Sequence, residues 1–258
     1  MLNTYTSYML ITKDISKSLD RIEKQPTVQR DTDYYLANIG KVKTIDEFVK
    51  DTRLFNYAMK AHGLGEMAYA KAFMVKALKE GVTETDSFAN KLSDKRYKEF
   101  VSTFNFAEFG ETATMFTKAQ QGTVDKYMRQ TLEEQAGTDN AGVRLALYFQ
   151  RKAPGLTNWY SVLADTALSS VVRTAFGLPD SFASTDIDQQ VKYFQQKMDI
   201  EDFSNPKKLE TFLKRFTSLY EVKNTTSSAS STATILYGNP KTYGVSTDLM
   251  MAMQKLKF

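Results

Sequence analysis

The sequence predicts an all-α protein made of two similar helical lobes from an internal duplication, with an amphipathic helix at the N-terminus and a flexibly linked helix at the C-terminus. Three observations carry this expectation. Apolar residues recur at spacings of three and four along most of the chain, the period of a helix with one buried stripe. Helix-start and helix-stop residues bracket those stripes. The stretch "DTRLFNYAMKAHGL", Asp51 to Leu64, returns at Asp165 to Leu178 as "DTALSSVVRTAFGL", with six of the fourteen positions identical.

In chain order, residues 1–33 form the N-terminal element and its lead-in. Tyr8, Ile11, Ile15, Leu19 and Ile22 make one apolar stripe, which predicts a single helix over about 7–23 that Pro26 ends. Residues 34–122 form the first helical repeat and its connection. Thr44 and Glu47 are a capping box for a short helix carrying Phe48 and Val49. Asp51 suits the free N–H groups and positive end of the next helix, and Gly63 suits the left-handed residue that closes it. Ala70, Phe73, Met74, Ala77 and Leu78 predict a further helix stopped by Gly81. Ser93 is the expected cap of one bearing Tyr97, Phe100, Val101 and Phe104. The pattern then fades over 106–123.

Residues 123–221 form the second repeat. Its stripes begin at Val124, Tyr127, Met128 and Leu132, pause at "AGTDNAG" and resume over Val143 to Phe149. At an offset of 114, Asn158 answers to Thr44, Val162-Leu163 to Phe48-Val49, and Asp165 and Gly177 to Asp51 and Gly63. At an offset of 112, Leu209, Phe212, Leu213 and Phe216 answer to the stripe of Tyr97, Phe100, Val101 and Phe104, behind Asn205 and a first-turn Pro206. Residues 222–258 hold the serine- and threonine-rich "KNTTSSASSTAT", read as a mobile linker, and a last helix capped by Ser246. Leu249, Met250, Met253 and Leu256 on one side of that helix are the candidate partner-binding residues, because methionine-rich amphipathic faces adapt to partners.

Composition narrows the function classes. The 258 residues, 42% of them hydrophobic, suffice for a sizeable core. Thirty-four basic and thirty acidic residues are interspersed on helix faces, which argues against a nucleic-acid surface. Without cysteine there is no disulfide, no thiolate zinc site and no cysteine nucleophile. No cofactor or metal site is expected. The N-terminal apolar run "YMLI" is too short for a cleaved signal peptide, and no segment is long enough to span a bilayer. The expected location is the cytoplasm, or export without cleavage.

Candidate catalytic groups fare no better. The single histidine, His62, is answered in the second copy by Phe176, which reads as packing rather than catalysis. The acidic pairs Asp186/Asp188, Glu133/Glu134 and Asp31/Asp33 read as structural, the first at a helix start. "STDIDQQVKYF" lacks the glycine and glutamate of a calcium loop, and "GLGEMAYA" lacks the strand that precedes a phosphate loop. No enzyme activity is expected.

The stretches "YYLANIGKVKTIDEFVKDTRLFNYAMKAHGLGEMAYAKAF", "KLSDKRYKEFVSTFNF" and "DTALSSVVRTAFGLP" resemble domain-of-unknown-function family 1217. The resemblance extends from about Tyr8 to Tyr220. It implies helical repeats, an alphaproteobacterial source and a frequent gene location among flagellar genes, and it carries no catalytic residues. Two functions follow as expectations. One is a non-enzymatic structural or protein-interaction component of the bacterial flagellum, at the basal body or its assembly. The other is a cytoplasmic binding protein such as an export chaperone or assembly regulator.

Overall fold

The computed structural model describes residues 2–237, so Leu249, Met250, Met253 and Leu256 lie outside the described residues. Those described form helices and turns with no strand, and no helix among them is long and apolar enough to cross a membrane.

The N-terminal stripe is divided between two helices, α1 (Thr4–Thr12) and α2 (Ile15–Glu23), instead of the single helix expected over 7–23. Asp14 leaves the helical conformation between them, and its carboxylate accepts from the Lys17 N–H at 2.9 Å. The break has a packing cause, since Tyr8 on α1 and Ile22 on α2 enter different cores. Pro26 also reverses its expected role. It opens α3 (Pro26–Ile39) from the first helical position, where its missing N–H and fixed φ cost nothing, so "TVQRDTD" is helical rather than a lead-in.

The capping box of Thr44 and Glu47 forms as expected and starts α4 (Ile45–Lys50). Asp51 then caps α5 (Thr52–Ala61), accepting from Arg53 N at 3.1 Å and Leu54 N at 3.0 Å. Gly63 closes α5 at φ 70°, which lets Leu64 N reach Met59 O at 2.8 Å and Gly63 N reach Lys60 O at 2.9 Å. That pair of bonds satisfies carbonyls the helix end leaves open, and the left-handed residue it requires is cheap only for glycine. A turn leads to α6 (Lys71–Glu80), α7 (Phe88–Lys91) and α8 (Lys95–Thr103). Asp94, not Ser93, caps α8, because its carboxylate reaches Arg96 N at 2.9 Å.

After α9 (Phe106–Phe109) the chain enters α10 (Gln121–Asp139), which runs straight through "AGTD" and ends where Asn140 caps α11 (Ala141–Lys152). There follow α12 (Trp159–Ala164), α13 (Thr166–Ala175), α14 (Ile187–Lys197) and α15 (Pro206–Tyr237). The backbone of α15 stays helical to Tyr237, across residues where the sequence suggests a linker. Leu209, Phe212, Leu213 and Phe216 anchor its first turns in a core, and extending a helix already nucleated takes little.

Positions 114 apart share local structure. Asp165 caps α13 through Ala167 N at 2.9 Å and Leu168 N at 3.1 Å, and Gly177 ends it at φ 70°, with Leu178 N on Arg173 O at 2.9 Å. The same tyrosine serves each cap: Tyr34 donates to Asp51 Oδ2 at 2.8 Å, and Tyr148 to Asp165 Oδ2 at 2.5 Å. The neighbours correspond too, since α3 packs on α5 as α11 does on α13, and α4 packs on α5 and α6 as α12 does on α13 and α14.

Among the described residues there are two hydrophobic cores. The first holds Tyr35, Phe48, Phe55, Phe100 and Phe104; the second holds Phe149, Trp159, Phe194, Phe203 and Phe216. Helix α10, which the sequence assigns to the second repeat, delivers Val124, Tyr127, Met128 and Leu132 to the first core and also lies along α11. In the opposite sense, α1 packs on α11 and α15 of the second. Each core therefore receives a helix from outside the segment that the sequence assigns to it.

Candidate functional site

Where the lobes meet, the polar side chains of α5, α8, α10 and α11 gather into a seam. Its most buried member is Glu133 on α10, whose side chain is 2% exposed. Arg151 of α11 grips it with a two-pronged bond, Nε to Oε1 and Nη2 to Oε2, both at 2.7 Å. Arg129, one turn earlier on α10, adds Nε to Oε1 at 3.2 Å. Two planar guanidiniums thus satisfy one carboxylate taken out of water. Its sequence neighbour Glu134 points elsewhere, pairing with Lys60 at 3.2 Å.

A second group lies nearby. Glu99 of α8 pairs with Lys126 of α10 at 2.8 Å and with Lys152 of α11 at 3.4 Å. Burial by itself raises its carboxyl, but Lys152 and Lys126 outweigh that and hold it down at about 2. Behind Lys126 stands His62, 7% exposed, at the end of α5. Its Nδ1 lies 2.9 Å from Ala58 O, so Nδ1 carries the proton and donates. Nε2 then accepts from the Lys126 ammonium at 3.1 Å, with Thr103 Oγ1 at 3.2 Å. Burial, reinforced by Lys126, lowers the imidazole pKa to about 4. A ring so reluctant to take a proton is poorly matched to general-base work near neutral pH. Its edge-on contacts with Phe100 and Phe104, at 5.3 and 5.9 Å, are those of a core side chain.

The seam joins groups that the sequence leaves scattered. The reading of His62 as packing matches its burial, and Asp186 sits at the helix start expected of it, capping α14 through Asp188 N and Gln189 N. No local pattern in the sequence marks Glu99, Lys126, Lys152 or Arg151. Of the whole seam, only the Arg129/Glu133 spacing of four within one helix was a local signal.

The seam is a pH-sensitive joint, and the sign is fixed by the direction of its shifts. The folded His62 binds fewer protons than an unfolded histidine with a pKa of about 6.5. Its contribution is complete above that value and is lost as pH falls toward about 4. Glu99 acts lower, losing its contribution between the ordinary glutamate range and about 2. His62→Phe, which installs the second-lobe residue, is therefore expected to remove about 2–3 kcal/mol of the stability difference between pH 7 and pH 4. Urea unfolding of both proteins at the two pH values measures this, and an unchanged difference would mean that His62 does not carry it.

Residues 61–209 match the family described as "Protein of unknown function (DUF1217)". The fold is similar to the X-ray structure of protein AGR_C_984 from Agrobacterium tumefaciens, with a TM-score of 0.80 and 51% sequence identity over 86% of this chain and 94% of that one. No curated protein matches the sequence.

Proposed function

Because the chain belongs to the DUF1217 family of proteins of unknown function, we propose that it is a non-enzymatic, protein-interacting component of the bacterial flagellum, acting at the basal body or in its assembly. In this reading its two lobes arose by duplication of one helical unit. The duplication is supported by the paired caps, the paired tyrosines and the matching helix neighbours at an offset of 114. The flagellar assignment rests on the gene surroundings that the family resemblance implies.

The observation that carries the non-enzymatic reading is the engagement of the titratable groups of the seam with one another. His62, Glu99, Lys126 and Lys152 form one set, which ties α8 and the end of α5 to α10 and α11, and Glu133, Arg129 and Arg151 form another, which ties α10 to α11. Such an arrangement fixes lobe orientation and presents a rigid pair of helical surfaces to partners. A deletion strain tests the proposal: impaired swimming with incomplete basal bodies is expected, and normal motility with complete basal bodies would refute it. Fractionation separates the structural role from a cytoplasmic chaperone or regulator, which would stay in the cytosol and be absent from purified basal bodies.

A further inference from the structure

The two lobes differ in chemistry on one face of α13. Thr166, Ser169 and Arg173 stand there at i, i+3 and i+7, beside Gln190 of α14, and border a half-open cavity of about 380 Å³. In the first lobe the residues 114 earlier than Ser169 and Arg173 are Phe55 and Met59, both fully buried. Met74, the fourth residue of α6 as Gln190 is of α14, is fully buried as well. Three apolar side chains that fill one lobe are thus replaced in the other by a hydroxyl, a guanidinium and an amide, and a cavity opens. Packing alone does not favour that exchange, since buried polar groups require partners.

Arg173 is incompletely partnered. Its Nη1 donates to Ser169 Oγ, while its Nε is buried without an acceptor, and among the described residues it makes no ion pair. It is the only charged side chain among the described residues with a buried atom left in this state. The nearby carboxylates are engaged: Asp180 with Lys223, Asp186 with the first turn of α14, and Asp188 with Tyr160. Gln190 holds the loop in place, donating to Thr185 O at 2.8 Å. Thr166 opens α13 and Ile187 opens α14, so the first turns of two helices border the same cavity, their free N–H groups already capped by Asp165 and Asp186. Leu163 and Ile187 supply an apolar wall.

We propose that this cavity binds a small monocarboxylate with a short apolar body, its carboxylate on Arg173 and the flanking hydroxyls and its body against Leu163 and Ile187. One guanidinium matches one negative charge, and its planar fork matches a carboxylate. The volume lies within the range of small-molecule sites. The proposal goes beyond the flagellar reading and stands independently of it, since it is tested on the purified protein alone.

The test is titration of the full chain with acetate, butyrate and inorganic phosphate at constant ionic strength, followed by two-dimensional NMR and calorimetry. Saturable binding is expected, tighter for butyrate than for acetate, with shifts centred on α13 and α14. Arg173→Met installs the residue the first lobe uses and is expected to weaken butyrate binding about ten- to a hundredfold. Should that variant fail to fold, Arg173→Lys keeps the charge, loses the fork and is also expected to bind more weakly. Absence of saturable carboxylate binding, equal affinity in the folded Arg173 variant, or tighter binding of phosphate than of butyrate would each overturn the proposal.

Discussion

Glu133→Ala is expected to destabilise the protein by about 3–5 kcal/mol, because it leaves Arg129 and Arg151 facing each other across a site from which water is largely excluded. Truncating an exposed partner would cost far less, since exposed pairs contribute about 0–1 kcal/mol. The contrast is available within this chain. Lys43 and Glu111 lie 3.4 Å apart with both side chains mostly exposed, and Glu111→Ala is expected to be nearly silent. Urea unfolding followed by far-UV circular dichroism distinguishes them, and similar midpoints for the two variants would show that the buried carboxylate is not the joint described above. Restoring an apolar fit by replacing all three partners is a separate question, because a buried pair is costly to break without being worth more than good packing.

The second large effect concerns the cores. Phe104 and Phe216 occupy corresponding positions, 112 residues apart, and both are fully buried. Phe104 lies 4.8 Å from Phe48 and 5.0 Å from Phe100 in the first core, while Phe216 lies in the second, 5.6 Å from Tyr220. Either change to alanine removes a large side chain from a packed site and is expected to cost about 3–5 kcal/mol. Because α10 packs into the first core and lies along α11 of the second, and α1 packs into the second while continuing to α2, neither lobe has a boundary across which it can unfold alone. Each substitution should therefore shift one common transition. Two separate transitions, with only the mutated lobe affected, would contradict the interleaved packing.

What the sequence made legible follows from the range of each interaction. Asp51, Gly63, Asp165 and Gly177 were readable as helix ends because a cap acts on N–H and C=O groups within a few residues. The break at Asp14 was hidden by a stripe that stays in phase across it, since a period of three and four records that a face is buried but not against what. For the same reason the stripe of Val124, Tyr127, Met128 and Leu132 predicted a helix and gave no sign that it serves the first core. Pro26 was ambiguous in principle, because proline stops one helix and starts another equally well.

The seam was mostly illegible: Glu133 meets Arg151 across 18 positions and a change of helix, a relation no local pattern encodes. The cavity on α13 was different. At an offset of 114, Arg173 falls opposite Met59 and Ser169 opposite Phe55, a polar-for-apolar exchange visible in the residues alone.

Two lobes with separate cores are expected to behave as one body through their shared helices and polar seam. Trp159 is the sole tryptophan, is buried in the second core and stacks on Phe194 at 5.2 Å, so its fluorescence reports on that lobe alone. The direct test is the urea midpoint of Trp159 fluorescence in Phe104→Ala, whose lesion lies in the first core. A midpoint lowered as far as that of the far-UV signal is the predicted result, and a Trp159 midpoint unchanged from the unaltered protein would contradict the claim.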